Sequence, residues 1–223
     1  MVSMLKILRQ DKNAQILVVT PLLTGHQIFK QTKISLERSG VPIIWTSYEG
    51  EGKHATNVQA NLDAYKEKYK SFPPYIQILD RDIILGRNYL DKMLSTIEKS
   101  GGNIGFVYSP FEYKGYINVT FPPRIYDINF LMNNNYISSN SLYKSEAIER
   151  VGGFVTDIRI HRLSDWAMWL KMYKFGYIGQ LCSNAFFTAI SSPTDISAGS
   201  KEEFIEVRKL VIEEYVKPIL AQK

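Results

Sequence analysis

With 223 residues, 45% of them hydrophobic and 22% charged, the chain carries enough apolar material for one large domain, which excludes a disordered or fibrous polypeptide. A formal charge of +5 suits an anionic partner such as a nucleotide or an acidic lipid, but Lys and Arg are dispersed, and short clusters such as Lys66 to Lys70 lack the patterning of a nucleic-acid interface. One cysteine, Cys182, excludes an internal disulfide; no apolar run approaches the roughly twenty residues of a membrane span, and Met4 to Leu8, interrupted by Lys6, is too short for a signal peptide, so a soluble, cytoplasmic chain is expected.

In chain order, QILVVTPLL (residues 15 to 23) is a continuous Ile/Leu/Val run of the kind buried on both faces of a parallel sheet, and it predicts a first central strand. Residues 27 to 39 predict a helix with Ile28, Ile34 and Leu36 inward, stopped by Gly40. VPIIWT (41 to 46) is the second strand. Its exit loop, Ser47 to Gly52, offers small and acidic side chains to a ribose or base, or is an ordinary flexible loop. Between Ala55 and Tyr69, Val58, Leu62 and Tyr65 recur at helical spacing. Asn57 and Asn61 lie four apart on one face, directed at a ligand cleft or at water.

The next stretch is YIQILDRDIIL, residues 75 to 85. An apolar strand, bounded upstream by Phe72-Pro73-Pro74, stops on Asp80-Arg81-Asp82. In an open α/β sheet, ligands bind beyond the carboxyl ends of the strands, so both carboxylates would stand there. Two carboxylates one residue apart can share a hard divalent cation that bridges to a phosphate; the plain alternative is a solvated turn. A helix over 88 to 99 and a strand over 104 to 108 follow. Alternating strands and helices predict an α/β fold with a mostly parallel central sheet.

Residues 109 to 135 are irregular and aromatic, with Phe111, Tyr113, Tyr116, Phe121 and Tyr126 around Pro122-Pro123. They suit a lid or sugar-stacking platform as well as a hairpin packed on the core. NYISSNSLY (135 to 143) predicts a strand returning to the sheet and Lys144 to Val151 a short helix. Gly152-Gly153 suggest backbone at positive φ. In the helix that follows, Ser164 reads as the N-cap and Asp165 falls in the first turn, where an acid either complements the helix dipole or stands at the strand ends as a general base. Trp166 and Trp169 recur as core. Residues 179 to 190 predict a final strand pair, and 201 to 216 an amphipathic helix with Phe204, Val207, Val211 and Tyr215 on one stripe.

Taken together, the strand ending in Pro21, Asn61 ahead of Leu79-Asp80-Arg81-Asp82, then Val151-Gly152-Gly153-Phe154 and Ser164-Asp165-Trp166-Ala167-Met168-Trp169-Leu170 resemble a family 2 glycosyltransferase of the GT-A fold over roughly residues 15 to 190. The resemblance implies a single Rossmann-like domain over 1 to 223, with a nucleotide-binding half at about 15 to 108, an acceptor-binding half at about 109 to 200 and a C-terminal helix at about 201 to 220. It implies that Asp80 and Asp82 hold Mn2+ or Mg2+, with Asp82 the direct ligand, and that Thr20, Pro21, Glu49, Asn61, Asp80 and Arg81 contact a nucleotide-sugar donor, UDP-linked. Asp165 is implied as the base that deprotonates a glycan or glycoprotein acceptor for one inverting displacement.

The chain departs from that family at several points. Ser164 stands where an acid commonly precedes the base, Glu49 where an aspartate follows the second strand, and the usual Arg and His near Thr188 to Ser192 are absent; His161 is available as a substitute ligand. A nucleotidyltransferase acting on sugar phosphates also presents paired aspartates, but usually with a Gly-rich phosphate loop that Pro21 to Gly25 lacks. An inactive carbohydrate-binding protein would need the aromatics without the three aspartates.

Overall fold

The computed structural model describes residues 4–193 and 200–221. Of the half expected over 109 to 200, residues 194–199 lie outside the described residues. In chain order the elements are β1 (Met4–Gln10), β2 (Ile16–Leu23), α1 (Lys30–Glu37), β3 (Ile43–Gly50), α2 (His54–Tyr69), β4 (Tyr75–Ile78), β5 (Ile83–Leu85) and α3 (Tyr89–Glu98). Then come β6 (Ile104–Tyr108), β7 (Phe111–Gly115), β8 (Val119–Phe121), α4 (Ile128–Leu131), β9 (Leu142–Lys144), α5 (Ser145–Arg150), α6 (Ser164–Lys174), β10 (Ile178–Leu181), β11 (Phe187–Ser191) and α7 (Lys201–Val211). A 3-10 turn over Ile158–Leu163 leads into α6.

The main sheet has seven strands in the order β1-β3-β2-β4-β9-β6-β10. β2 pairs in parallel with both β3 and β4, and β6 with β10, whereas β9 runs against β4 and β6, and β1 against β3. The apolar run of β2 explains its central place. Leu17 and Val19 enter one core cluster and Ile16 and Val18 the other, as the two-residue period of a strand requires when both faces are covered. One face packs against α2, α5, α6 and α7 through residues such as Val58, Leu62, Ala147, Trp169 and Val211. The other packs against α1 and α3 through Leu36, Leu90 and Met93. β1 is an edge strand whose charged Lys6 and Arg9 and its irregularity between Ile7 and Arg9 disfavour pairing with another chain.

A second sheet of four strands, β5-β11-β7-β8, packs beside the first and was not anticipated. It accounts for the aromatic segment. Residues 111 to 121 form a hairpin, and Phe111 stacks on Phe121 at 4.4 Å and on Phe187 of β11 at 5.1 Å, so these rings build core. The strand expected over 135 to 143 shortens to β9, because the chain before it is spent on loop contacts described below. β10 and β11 do not pair with one another as expected: the residues between them carry the chain from the first sheet to the second.

Candidate active site

β4 ends at Ile78, and the Asp80-Arg81-Asp82 turn crosses from the main sheet to β5 in the second. Its backbone is fixed from several directions. Arg81 O accepts from Phe29 N and Thr32 Oγ1, each at 2.8 Å, and the Arg81 guanidinium lies 5.1 Å over the Phe29 ring. Asp82 O accepts from Ile190 N of β11 at 3.0 Å. On the loop before β9, Asn140 bridges Asp80, its Oδ1 accepting from Asp80 N at 2.8 Å while its Nδ2 donates to Asp80 Oδ2 at 2.9 Å. The other carboxylate oxygen, Oδ1, stands 2.6 Å from His54 Nε2 at the start of α2.

Asp80 and His54 therefore form an ion pair at the bottom of a cleft. Burial disfavours the imidazolium, but the charge and hydrogen bond of Asp80 outweigh it, helped by Asp165 and Asp82, and hold His54 above its ordinary value. Burial likewise works against the Asp80 carboxylate, and His54 and Asn140 reverse that and hold it below its ordinary value. A histidine in the first turn of a helix faces the positive end of the helix dipole, so a charged His54 requires such a carboxylate.

Asp165 approaches from the other half of the chain, in the first turn of α6. Its Oδ1 accepts from Trp166 N at 2.8 Å, and Asn135 bonds its side chain. Burial nonetheless dominates and pushes the Asp165 carboxyl above the usual aspartate value. The two indoles behind it are buried: Trp166 Nε1 donates to Leu131 O at the end of α4 at 2.6 Å, and Trp169 Nε1 to Ile137 O, in the loop that carries Asn135 and Asn140, at 3.1 Å. One helix thus fixes the aspartate and the loop opposite it.

These groups line one cleft of about 470 Å³ beyond the carboxyl ends of β2 and β4, shared by Pro21, His54, Asp80, Arg81, Asp82 and Asp165. Thr20 and Asn61 are not part of the cleft lining. Both are fully buried, Thr20 Oγ1 accepting from Trp45 Nε1 at 3.0 Å and Asn61 Oδ1 from Thr46 Oγ1 at 2.9 Å, so they brace β2, β3 and α2 behind the cleft. Glu49 is likewise off the cleft wall; it accepts from Gly25 N at 2.9 Å and holds the turn after β2. Asn57, the partner of Asn61 in the sequence pattern, does line the cleft, its Nδ2 lying 2.9 to 3.1 Å from the carbonyls of Leu22, Gly50 and Gly52. Ser164 is not the N-cap: it is the first residue of α6, Leu163 precedes it as the cap, and Ser164 Oγ donates to His161 O at 3.1 Å.

No family model matches the sequence, and no curated protein matches it. Solved structures do. The chain superposes on S. aureus TarS residues 1–349 in complex with UDP-GlcNAc with a TM-score of 0.66 at 12% identity, covering 88% of this chain and 65% of that one. Against the longer S. aureus TarS structure the TM-score is 0.62 at 13% identity, covering 88% of this chain and 39% of that one. The fold is GT-A-like. The mannosyltransferase PcManGT from Pyrobaculum calidifontis, in complex with GDP-Man and Mn2+, gives a TM-score of 0.59 at 12% identity over 93% of this chain and 66% of that one. This GT-A-like chain thus spans about two thirds or less of the proteins it resembles. At such identities it is the arrangement of sheet and helices that is shared.

The donor set of the GT-A-like cleft decides what kind of cation would suit it. Among the described residues no group of three or more His, Cys, Asp or Glu side chains stands ready to hold a metal, and both oxygens of Asp80 are engaged by His54 and Asn140. His161 faces Glu203 at 3.9 Å, and its Nδ1 lies 3.0 Å from Ile158 O. Asp82 at the cleft wall suits a hard cation that brings most of its own ligands, as a diphosphate-bound Mg2+ or Mn2+ does when one or two carboxylates suffice. Among the described residues no helix is long and apolar enough to cross a membrane.

Proposed function

We propose that the chain is a glycosyltransferase, one domain over its 223 residues, that moves a sugar from a nucleoside-diphosphate sugar, UDP-linked, to a hydroxyl of a glycan or glycoprotein acceptor with inversion. One observation carries the reading: Pro21, Asp80, Arg81, Asp82 and Asp165, from distant parts of the sequence, line a single cleft at the strand ends of a GT-A-like fold. That TarS binds UDP-GlcNAc and PcManGT binds GDP-Man with Mn2+ supports a nucleotide-sugar donor.

In this reading Asp82 would hold a divalent cation that accompanies the donor's diphosphate, and Asp80, kept in place by His54 and Asn140, serves the donor as a hydrogen-bond acceptor and positions the turn. A bound cation would neutralise charge as it develops on the departing diphosphate. Asp165 takes the proton of the acceptor hydroxyl while that oxygen forms its bond to the anomeric carbon and the bond from that carbon to the diphosphate oxygen breaks on the opposite side. The raised affinity of Asp165 for a proton makes it a stronger base than a solvated aspartate, and such proton transfer contributes on the order of 10² to 10⁴ in rate. The test is a panel of UDP-, GDP-, CDP- and TDP-sugars with candidate acceptors, with and without Mn2+, assayed for release of nucleoside diphosphate. Metal-dependent release from a UDP-sugar is expected, and no release from any donor would defeat the reading.

A further inference from the structure

Asn57 lines the cleft, and none of the roles above uses it. The side chain comes from the start of α2, is 2% exposed, and reaches the ends of β2 and β3, where Nδ2 meets the carbonyls of Leu22, Gly50 and Gly52 at 2.9, 3.1 and 3.0 Å. Those carbonyls fix which end of the amide is which. Turned over, Oδ1 would face three acceptors, so the amide stands with both N–H donors committed and Oδ1 as its unused end. Among the described residues nothing donates to Oδ1. The sequence makes room for it: a Cβ at Gly50 or Gly52 would lie 2.8 or 2.9 Å from Oδ1, and the edge of the Tyr48 ring borders the same space, 3.1 Å from the Gly50 position. With the three carbonyls, this corner presents four acceptor oxygens. Phosphate oxygens are acceptors too and find no partner there, whereas an N–H or O–H donor does. A base offers such a donor within the plane of its ring where a ring nitrogen carries hydrogen, N3 in uracil and thymine and N1 in guanine. In cytosine and adenine the corresponding nitrogen carries a lone pair instead.

We propose that Asn57 Oδ1 reads the base of the nucleotide, accepting from the ring N–H of uracil or guanine and turning away cytosine and adenine. The inference rests on the nucleotide-donor reading given above and narrows it to a class of base. It does not rest on sugar transfer: nucleotide binding without catalysis would leave it standing while the glycosyltransferase reading fell. A ribose hydroxyl is the other donor a nucleotide could bring to this corner, and the choice of analogues separates the two.

The experiment is calorimetric titration of the full chain, at constant Mn2+, with UDP, GDP, CDP, 2′,3′-dideoxy-UDP, 3-methyl-UDP and 1-methyl-GDP, repeated on Asn57→Ala after circular dichroism has verified its fold. CDP is expected to bind about tenfold or more weakly than UDP, because Oδ1 would face a lone pair and stay unpaired, and methylation of the ring nitrogen should cost UDP and GDP at least as much. In Asn57→Ala the preference for UDP over CDP is expected to fall to about twofold or less. CDP and the methylated nucleotides binding as tightly as UDP and GDP overturns the assignment, and that comparison needs no variant, so it holds even if Asn57→Ala loses its fold with the Nδ2 contacts. An undiminished preference for UDP in a folded Asn57→Ala gives the reading to another group and overturns it as well. A loss confined to 2′,3′-dideoxy-UDP moves Oδ1 to a ribose hydroxyl and removes it from the base. Binding of none of these nucleotides removes the inference together with the nucleotide-donor reading.

Discussion

The three aspartates of the cleft stand in different surroundings, and the proposed function gives each a different role. Asp80 is satisfied by His54 and Asn140, Asp165 is held above its ordinary proton affinity by burial, and Asp82 stands at the cleft wall on the turn. For Asp165 the sign runs one way: a carboxyl raised above its ordinary 3.8 contributes stability below that pH and loses it as pH rises through the folded value, so its ionised form costs stability at neutral pH. Asp165→Asn is therefore expected to unfold in denaturant no earlier than the parent at pH 7, to keep donor affinity, and to lose turnover by on the order of 10² or more; the parent's kcat should fall as pH drops through a value above 3.8. Turnover near the parental level would leave Asp165 only its contact with Trp166 N. A second pair of variants separates the other two: Asp82→Asn is expected to abolish the Mn2+ dependence of nucleoside-diphosphate binding, whereas Asp80→Asn should weaken binding with and without metal, since it loosens the turn, and equal metal dependence in both would refute the division of roles. All three aspartates were legible in the sequence. His54 and Asn140 were not, because a pair such as Asn140 and Asp80, 60 positions apart, leaves no local pattern. A histidine at the expected start of a helix was the available signal, since its charge there calls for a carboxylate from elsewhere.

At the scale of elements, the long runs were legible and the short ones were not. β2 and α2 show a buried run and a helical period, whereas β5, β8 and β9, of three residues each, are too short to carry any period, and their pairing is set by the second sheet rather than by local pattern. The adjacent glycines were legible for a physical reason that the structure bears out: Gly152 and Gly153 stand at φ of 74° and 81°, where only glycine is comfortable. Gly153 also lies where a methyl group would strike the Gln59 side chain, whose Oε1 accepts from Phe154 N at 2.8 Å, and its carbonyl accepts from Lys171 of α6 at 2.9 Å. The junction between α5 and the loop that leads to Asp165 thus rests on α2 and α6. Gly153→Ala is expected to cost about 1 to 3 kcal/mol, read as a lower urea midpoint at unchanged slope. Gly102→Ala is the control, with open space around it and no positive φ, and should move the midpoint far less.

For the whole molecule, the proposed function requires that the two walls of the cleft share one ligand. β2, α2 and the Asp80 turn build one wall of the cleft, and the start of α6 with α7 builds the other, so a nucleotide bound between them would couple the stability of both. A ligand at about a hundred times its Kd stabilises the folded state by roughly 2.7 kcal/mol, which for a chain of this size raises the melting temperature by roughly 5 to 10 °C. UDP, GDP, CDP and TDP, each with and without Mn2+, therefore form a thermal-shift series that reads donor class directly. UDP with Mn2+ is expected to give the largest rise, because the function proposed above takes a UDP-linked donor, as TarS binds UDP-GlcNAc. PcManGT binds GDP-Man on a sheet of the same architecture, so the GT-A-like fold itself does not decide the base. A larger metal-dependent rise with GDP would move the donor to a purine and leave the glycosyltransferase reading intact. No rise with any nucleotide would mean that the cleft does not join the two halves through a nucleotide, and the proposed function would fall with it.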